Sequence, residues 1–360
     1  MLITTQPGTL RVIEDGRLLT RPALEITSRV CRERERGLVG VAVDPLFRAN
    51  RFVYVYYTFK KFGSCPSRSQ RAPVNRTVRY RMRQNGTLEA RSARILIDNV
   101  PSYHGTHNGG DLGFGKDGYL YVSIGDGGRD YARRTAKSFT NAAARDRNVL
   151  LGKIVRITRA GRPAPGNPLS GRTTVRCSTT GPVKPGLACR EIYARGLRNP
   201  FRFAFDPNAA ATRFFVNDVG EVTWEEVNVG QRAADYGWNL REGPCPVHGR
   251  VRCGPTPPRM TDPVLAYGRR EGCGSITGGA FVPNGVWPRQ YDGAYLFADF
   301  LCGKIFLMDA AGGSKEMRTF AALPVPGVTS MTFGPSPSGV ALYYVTFAHG
   351  GEVRRVVYRP

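Results

Sequence analysis

Ten segments of this chain pair off into a two-part repeat, and that repeat limits the fold more than any other feature. One half is a short strand of small and apolar residues running into a turn: VGVAVDP (39–45), DLGFGKDG (111–118), FRFAFDP (201–207), GGAFVPNG (278–285) and SMTFGPSPSG (330–339). The other half is a longer strand close behind: FVYVYYT (52–58), YLYVSIGD (119–126), RFFVNDVG (213–220), GAYLFADF (293–300) and ALYYVTF (341–347). Two-residue alternation between Gly, Pro and Asp turns marks strands almost throughout, and only 141–150 hints at a helical turn. Such a unit cannot bury both faces alone and must stack against its neighbours. Six units over 360 residues leave about 60 residues each, more than the roughly 40–50 of a four-stranded propeller blade. The long loops 60–75 and 159–190 take up the excess. The expected fold is therefore all-β: a six-bladed β-propeller of four-stranded antiparallel blades, one domain over residues 1–360. A large β-sandwich is the alternative, but a sandwich does not call for a two-part repeat.

The sixth unit is out of step with the others. MLITTQPG (1–8) reads as a second-half strand with no first half ahead of it. The expectation is a missing strand encoded upstream, after a secretion leader, and an edge with unpaired backbone groups beside residues 1–13. The run GEVRRVVYRP (351–360) is the candidate outer strand for that first blade.

Charge and cysteines bound the setting. The chain carries 52 basic against 28 acidic residues, a net charge of +24, and only eight of the basic residues are lysine. The basic residues are scattered, densest in RVCRERER (29–36), with no basic helix, zinc knuckle or ribonucleoprotein-type strand. Weak, salt-sensitive adhesion to polyanions is expected rather than specific nucleic-acid recognition. No apolar run is long enough to span a bilayer as a helix. Eight cysteines, an even count with no CxxC pair, lie mostly in loops. They read as four disulfides in an oxidising compartment, secreted or periplasmic, with free thiols as the alternative. Short spacing suggests Cys245–Cys253 and Cys177–Cys189, which leaves Cys273–Cys302 and Cys31–Cys65; spacing does not itself determine connectivity.

Three segments could carry chemistry. PSYHGTHNGGDLGFGKDGYLYVSIGDGG (101–128) holds His104 and His107, and Asp126 ends the strand after its GKDG turn. Two adjacent antiparallel strands can return that carboxylate to the level of His107. A carboxylate on Nδ1–H leaves Nε2 as a base, although His–Asp pairs also serve purely structural ends. His248 and His349 read as surface residues. EIYARGLRNPFRFAFDP (191–207) offers Arg198 and Asn199, an arginine fork suited to an oxyanion. NDVGEVTWEEVNVGQRAADYGWN (217–239) gathers the Gly220 carbonyl, Glu225, Glu226, Asn228 and Tyr236, a density of oxygen donors that suits Ca²⁺ or else a strand edge facing water.

With ERGLVGVAVDP, LGKIVRI and DYGW, these segments resemble the soluble glucose and aldose sugar dehydrogenases that use the quinone PQQ, the glucose/sorbosone dehydrogenase family. The matching pieces run in order from about residue 33 to 350. The resemblance implies a six-bladed propeller that oxidises an aldose at C1, with PQQ and Ca²⁺ as cofactors and an external electron acceptor. It implies that His107 is the general base, that Asp126 orients it, and that Arg198 and Asn199 contact the quinone oxygens. Glu35 falls at a polar cofactor contact. Gly220 and Glu221 match positions whose carbonyls hold the active-site Ca²⁺, while Glu225, Glu226 and Tyr236 match a further ion site. The chain departs from the family where basic groups meet the quinone carboxylates: those positions hold Leu301 or Cys302, Gly327 and Thr329, with Lys304 displaced. The forms ADF-x-x-GKI, EGPCPVHGRVRC and SITGGAF resemble the hedgehog-interacting-protein-like branch. That departure leaves open a propeller without quinone that binds a carbohydrate or a protein. A homodimer is also left open.

Overall fold

The computed structural model describes residues 1–132, 141–249, 253–269, 272–309, 316–337 and 339–358. It divides into two compact units, Met1–Asn199 with Gln231–Asp235, and Pro200–Gly230 with Tyr236–Pro360. The first unit holds three sheets. Strands β1 (Leu2–Thr5), β2 (Thr9–Glu14), β3 (Arg17–Leu18) and β4 (Leu24–Glu25) make the first. The second runs β5 (Leu38–Val43), β6 (Phe52–Phe59), β7 (Val74–Arg81) and β8 (Arg94–Pro101). The third is built from β9 (Leu112–Phe114), β10 (Leu120–Ile124) and β11 (Lys153–Ile157), beyond which β12 (Thr174–Val175) and β13 (Ala188–Cys189) form a small parallel ladder before β14 (Ile192–Arg195) closes the sheet.

The second unit holds three more sheets. β15 (Pro200–Phe205), β16 (Phe214–Asp218) and β17 (Trp224–Val229) are joined by β20 (Leu265–Gly268), after the hairpin β18 (Arg241–Glu242) and β19 (Cys245–Pro246). β21 (Ile276–Phe281), β22 (Tyr295–Asp299), β23 (Lys304–Met308) and β24 (Met317–Ala322) follow in order. β25 (Val328–Ser336), β26 (Gly339–Thr346) and β27 (Glu352–Val356) complete the set. The fold is the all-β six-bladed propeller that the repeat predicts, and each two-part repeat is an antiparallel pair: β5–β6, β9–β10, β15–β16, β21–β22 and β25–β26. Ser338, within the last repeat half, lies outside the described residues.

Burial explains why second-half strands such as β6 and β22 run apolar through their centres rather than alternately. In β6, Tyr54 and Tyr56 enter one hydrophobic cluster while Val53, Val55 and Tyr57 enter another on the opposite face. In β22 the same split sends Tyr295 and Phe297 one way and Leu296 and Ala298 the other. A strand covered on both faces reads as a continuous apolar run. The buried phenols keep partners: Tyr54 donates to Asp44 Oδ2 at 2.8 Å and Tyr56 to the Asn108 carbonyl at 2.9 Å.

The first sheet behaves as expected at one edge and not at the other. β3 pairs with Ile13–Glu14 and β4 with Thr9–Leu10, both across β2 from β1. Three strands therefore stand abreast, and among the described residues β1 has a ladder with β2 alone. The C-terminal run does not serve this sheet. β27 pairs with β26, from Leu342↔Val356 to Thr346↔Glu352, because the tight turn Ala348–Gly350 sends the chain straight back along β26. Arg359 and Pro360 lie outside the described residues. All four disulfides form in the expected pairing, with Cα separations of 5.7 Å for Cys31–Cys65, 5.3 Å for Cys177–Cys189, 4.3 Å for Cys245–Cys253 and 4.6 Å for Cys273–Cys302.

Candidate active site

In the first unit the β9–β10 hairpin does what its turn predicts. Leu112–Phe114 pair with Leu120–Val122, so the residues before β9 and after β10 meet at one end of the sheet. There His107 Nδ1 lies 2.7 Å from Asp126 Oδ1. The approach is close enough that a Cβ on Gly125 would stand 2.1 Å from the His107 carbonyl, so only glycine fits. The Gly127 N–H donates to that same carbonyl at 3.2 Å.

Asp126 is fully buried, and its Oδ1 also accepts the Gly128 N–H at 2.7 Å. Burial pushes its carboxyl up, but the charge and hydrogen bond of His107, then Arg198 and the Gly128 N–H, more than offset this and hold it below the usual range. An ionised Asp126 keeps the imidazole proton on Nδ1 and leaves Nε2 to accept. His107 itself is buried and lies in the left-handed region at φ 52°. Strain of that kind persists only where surrounding contacts hold it. One such contact is the His107 N–H, which donates to Glu35 Oε2 at 2.8 Å.

The same Glu35 oxygen accepts Asn199 Nδ2 at 3.0 Å, and Asn199 Oδ1 accepts the Gly109 N–H at 3.3 Å. The Arg198 carbonyl accepts the Asp126 N–H at 2.8 Å. Thus His107, Asp126, Arg198, Asn199 and Glu35, picked from three separate stretches of chain, lie together in one unit. His248 and His349 are exposed, as expected.

Two supports escaped the sequence reading. Asn108 is buried; its Oδ1 accepts Ser102 Oγ at 2.7 Å and Asn75 Nδ2 at 3.1 Å, and it fastens the loop behind His107. Lys153 is wholly buried, and its Nζ donates to the carbonyls of Ala143 (2.9 Å), Ala144 (2.8 Å) and Leu151 (2.5 Å). The Gly196 N–H in turn binds the Ala144 carbonyl at 2.8 Å, and Leu197 binds Gly152 at 3.3 Å, so the lysine holds the turn from which Arg198 and Asn199 hang. Burial pushes Lys153 down to about 7, against the pull of Asp146. Its only signal in the sequence is a lysine inside an apolar strand, LGKIVRI.

The second unit holds the remaining site residues. A Cβ on Gly220 would stand 1.6 Å from the Trp224 carbonyl, which makes that tight turn a glycine position. The Gly220 carbonyl accepts Arg269 Nη2 at 3.0 Å, and Glu225 pairs with the same nitrogen at 3.2 Å while taking the Ile276 N–H at 3.0 Å. Glu242, unnoticed in the sequence, collects four backbone donors on Oε1: Glu221, Val222 and Thr223 at 2.8 Å, and Trp224 at 3.1 Å. Beside it, Glu226 accepts Asn228 Nδ2 at 2.9 Å and the Gly243 N–H at 2.5 Å. Burial, with Glu242 and Asp262 nearby, pushes Glu226 up to about 7 in spite of those two donors. Among the described residues, Asn228 Oδ1 and Glu242 Oε2 are buried with no hydrogen-bond partner. Orphaned oxygens around a crowded carboxyl are what a hard cation satisfies, so this donor set fits Ca²⁺. The Tyr236 hydroxyl donates to the Val229 carbonyl at 2.5 Å. Two acidic residues lie close to cysteines, Glu33 by Cys31–Cys65 and Asp299 by Cys273–Cys302, but those sulfurs are in disulfides and cannot ligate as thiolates.

Comparison with known proteins gives a consistent picture. A family model described as glucose/sorbosone dehydrogenase matches residues 1–323. The HIPL2 protein of Arabidopsis thaliana is 28% identical over 385 aligned positions, covering 90% of this chain and 52% of that protein. The chain spans about half the length of that relative and 57% of the HIPL1 protein of the same plant. The aldose sugar dehydrogenase YliI of Escherichia coli (strain K12) is 24% identical, covering 99% of this chain and 86% of that protein. The PQQ-bound form of aldose sugar dehydrogenase from Streptomyces coelicolor superposes with a TM-score of 0.70 at 23% identity, over 98% of this chain and 89% of that one, a likeness of fold.

Proposed function

The chain belongs to the glucose/sorbosone dehydrogenase family, and from that premise we propose that it is a PQQ-dependent dehydrogenase oxidising an aldose at C1. The observation that carries this reading is the 2.7 Å contact between His107 Nδ1 and the buried Asp126. His107 Nε2 takes the proton of the C1 hydroxyl as the C1–H bond breaks with its electron pair. Asp126 stays ionised and stabilises the imidazolium that forms. PQQ, when bound, supplies the two-electron acceptor for that hydride. Glu35, Arg198 and Asn199 would hold it, and the adjacent guanidinium and amide donors of Arg198 and Asn199 suit quinone oxygens. The Gly220 and Glu221 carbonyls match the positions of the family's active-site Ca²⁺, but the Gly220 carbonyl here accepts Arg269 Nη2 at 3.0 Å, so an ion there would have to displace that guanidinium. Glu226, with Glu225 and Tyr236 of the same segment and the orphaned oxygens of Asn228 and Glu242, would hold a further Ca²⁺. Four disulfides support an oxidising compartment, secreted or periplasmic, with an external electron acceptor.

The test is reconstitution. PQQ and Ca²⁺ are added to the protein, the quinone spectrum is recorded, and dye reduction is followed with a panel of sugars. A shifted spectrum with sugar-dependent reduction is expected; an unchanged spectrum sinks the proposal. A second reading, a propeller that binds a carbohydrate or protein without quinone, is favoured by Leu301 or Cys302, Gly327 and Thr329 at the positions where the family resemblance calls for basic groups. Saccharide binding without any PQQ-induced spectral change would select it.

A further inference from the structure

The segment 159–190, length beyond what a four-stranded blade needs, builds a site of its own in the first unit. It encloses an open cleft of about 640 Å³, within the roughly 300–1,000 Å³ of small-ligand sites, and every lining residue comes from this segment. Arg162, Arg176 and Arg190 line it together with Pro163, Pro165 and Leu169. The parallel ladder of β12 and β13 brings two of these arginines abreast. Val175 pairs with Cys189, and the Arg190 N–H donates to the Val175 carbonyl at 3.0 Å, one residue before Arg176. The Cys177–Cys189 disulfide locks that ladder. Buried Asn167 ties the rest of the segment to it, donating from Nδ2 to the carbonyls of Arg190 at 2.7 Å and Arg156 at 2.9 Å.

Neutral oxygens fix these guanidinium groups. Arg176 donates from Nε to Ser178 Oγ at 2.8 Å and from Nη2 to the Gly161 carbonyl, beside Arg162, at 2.9 Å. Arg190 donates from Nε to Thr174 Oγ1 and from Nη2 to the Thr174 carbonyl, both at 2.9 Å. Arg232 donates from Nε to the carbonyl of Gly166, a lining residue, at 2.6 Å and adds a fourth cation at the rim. Among the described residues none of these four arginines has a carboxylate at ion-pair distance, and Nη1 of Arg176 and of Arg190 has no partner. The acids close by are committed elsewhere. Glu191 is fully buried and accepts the N–H groups of Cys177 at 3.0 Å and Ser178 at 2.8 Å, and Asp117 pairs with Arg156 at 2.9 Å. An exposed arginine ordinarily loses rotamer freedom when it takes a ligand, whereas Arg176 and Arg190 are exposed yet already held.

We propose that this cleft binds an acidic saccharide, with Arg162, Arg176 and Arg190 on its oxyanion and Pro163, Pro165 and Leu169 against the C–H faces of its rings. An oxyanion matches planar arginine donors and relieves the mutual repulsion of the cations. The lining holds no aromatic ring, so a nucleobase would find nothing to stack on. The oxyanion has two sources, the carboxylate of a uronate or a sulfate ester. No residue of the His107 site takes part, so the inference goes beyond the dehydrogenase reading and stands without it.

The experiment measures binding and not turnover. Trigalacturonate, a sulfated and carboxyl-free galactan trisaccharide, maltotriose and a thymidine trinucleotide are each titrated into the full chain by calorimetry. Wild type is compared with Arg190→Gln and with Arg162→Gln, whose side chain has no hydrogen-bond partner among the described residues. The exposed Arg91→Gln is the control of equal charge outside the cleft. Losing one charge-assisted contact is expected to weaken an acidic saccharide about tenfold in both cleft variants. Arg91→Gln is expected to bind as wild type does, and maltotriose to bind far more weakly than the acids. A loss for trigalacturonate alone assigns the oxyanion to uronate, a loss for the sulfated trisaccharide alone to sulfate, and a loss for both to either source. In wild type the bound saccharide should also shield Arg162, Arg176 and Arg190, but not Arg91, from phenylglyoxal, a readout that needs no variant to fold. The proposal is overturned if neither acidic saccharide binds wild type, if Arg91→Gln loses as much as the cleft variants, if the cleft arginines are not shielded, or if the trinucleotide binds more tightly than both acids.

Discussion

Asp126→Asn isolates the charge of the dyad from its geometry. In the native protein one oxygen, Oδ1, accepts both from His107 Nδ1 and from the Gly128 N–H, each at 2.7 Å. An asparagine with its carbonyl oxygen in that place keeps both hydrogen bonds and changes nothing in volume. What is lost is the negative charge that favours a protonated His107. Charge-assisted hydrogen bonds are about twice as strong as neutral ones, so the loss is about 1–2 kcal/mol, or about 5- to 30-fold in kcat/KM. His107→Ala removes the base itself and is expected to cost roughly 10²–10⁴-fold. The assay is dye-coupled oxidation by the PQQ- and Ca²⁺-loaded protein across pH, with thermal unfolding as a control on folding. The rate at a fixed neutral pH should fall by about 5- to 30-fold in Asp126→Asn while the protein stays folded. Stability carries a second signature. Because the Asp126 carboxyl lies below its ordinary value of about 3.9, its contribution is fully present above that pH and fades as pH falls through the folded value. The asparagine variant should lack that acid-dependent loss. Full activity in Asp126→Asn, or a loss as deep as that of His107→Ala, would refute the assignment of an orienting role.

The other predictions are briefer. Lys153 lies near 7 when folded and near 10.4 when unfolded, so the unfolded chain binds more protons between those values and stability should rise with pH across that window. Lys153→Met should abolish that rise and, by stranding three carbonyls, lower the denaturation midpoint. Ca²⁺ should raise the melting temperature and chelator should reverse this, whereas Glu226→Gln and Glu242→Gln should each blunt the effect; an undiminished response in both would remove the orphaned oxygens from the metal account. Replacing Cys31 and Cys65 by serine should cost about 4 kcal/mol, and replacing Cys177 and Cys189 about 3, because the closed loops differ in length, 34 against 12 residues apart. Urea midpoints in the reverse order would count against that chain-entropy account.

Much of the molecule was written locally. Strand pairs such as VGVAVDP with FVYVYYT announce their own hairpins, because period, turn chemistry and β-branching are properties of a few adjacent residues. The run Val53–Tyr57, apolar at every position, even announces burial on both faces. The contact of His107 with Asp126 was legible for the same reason, since one hairpin with a GKDG turn joins them. The cysteine pairs were legible where the loops are short. The neighbours of the site were not. Glu242 gathers the N–H groups of residues 221–224, and Asn199 reaches Glu35 across 164 positions of sequence, contacts that exist only after separate segments have packed. In sequence Lys153 is a lone charge in an apolar strand, and only packing brings three carbonyls around its Nζ. Nor could the scattered basic residues be told apart by composition. Arg36 is a buried strut and Arg269 braces Gly220, whereas Arg34 and Arg68 are exposed. The physical reason is that a charge's role depends on burial and on which groups approach it, and both are set by tertiary packing rather than by nearness along the chain. The same packing sent residues 352–356 back along β26 and left β1 as an edge. Strand propensity says that such a segment is extended, while the turn ahead of it and the surface it can bury decide its partner.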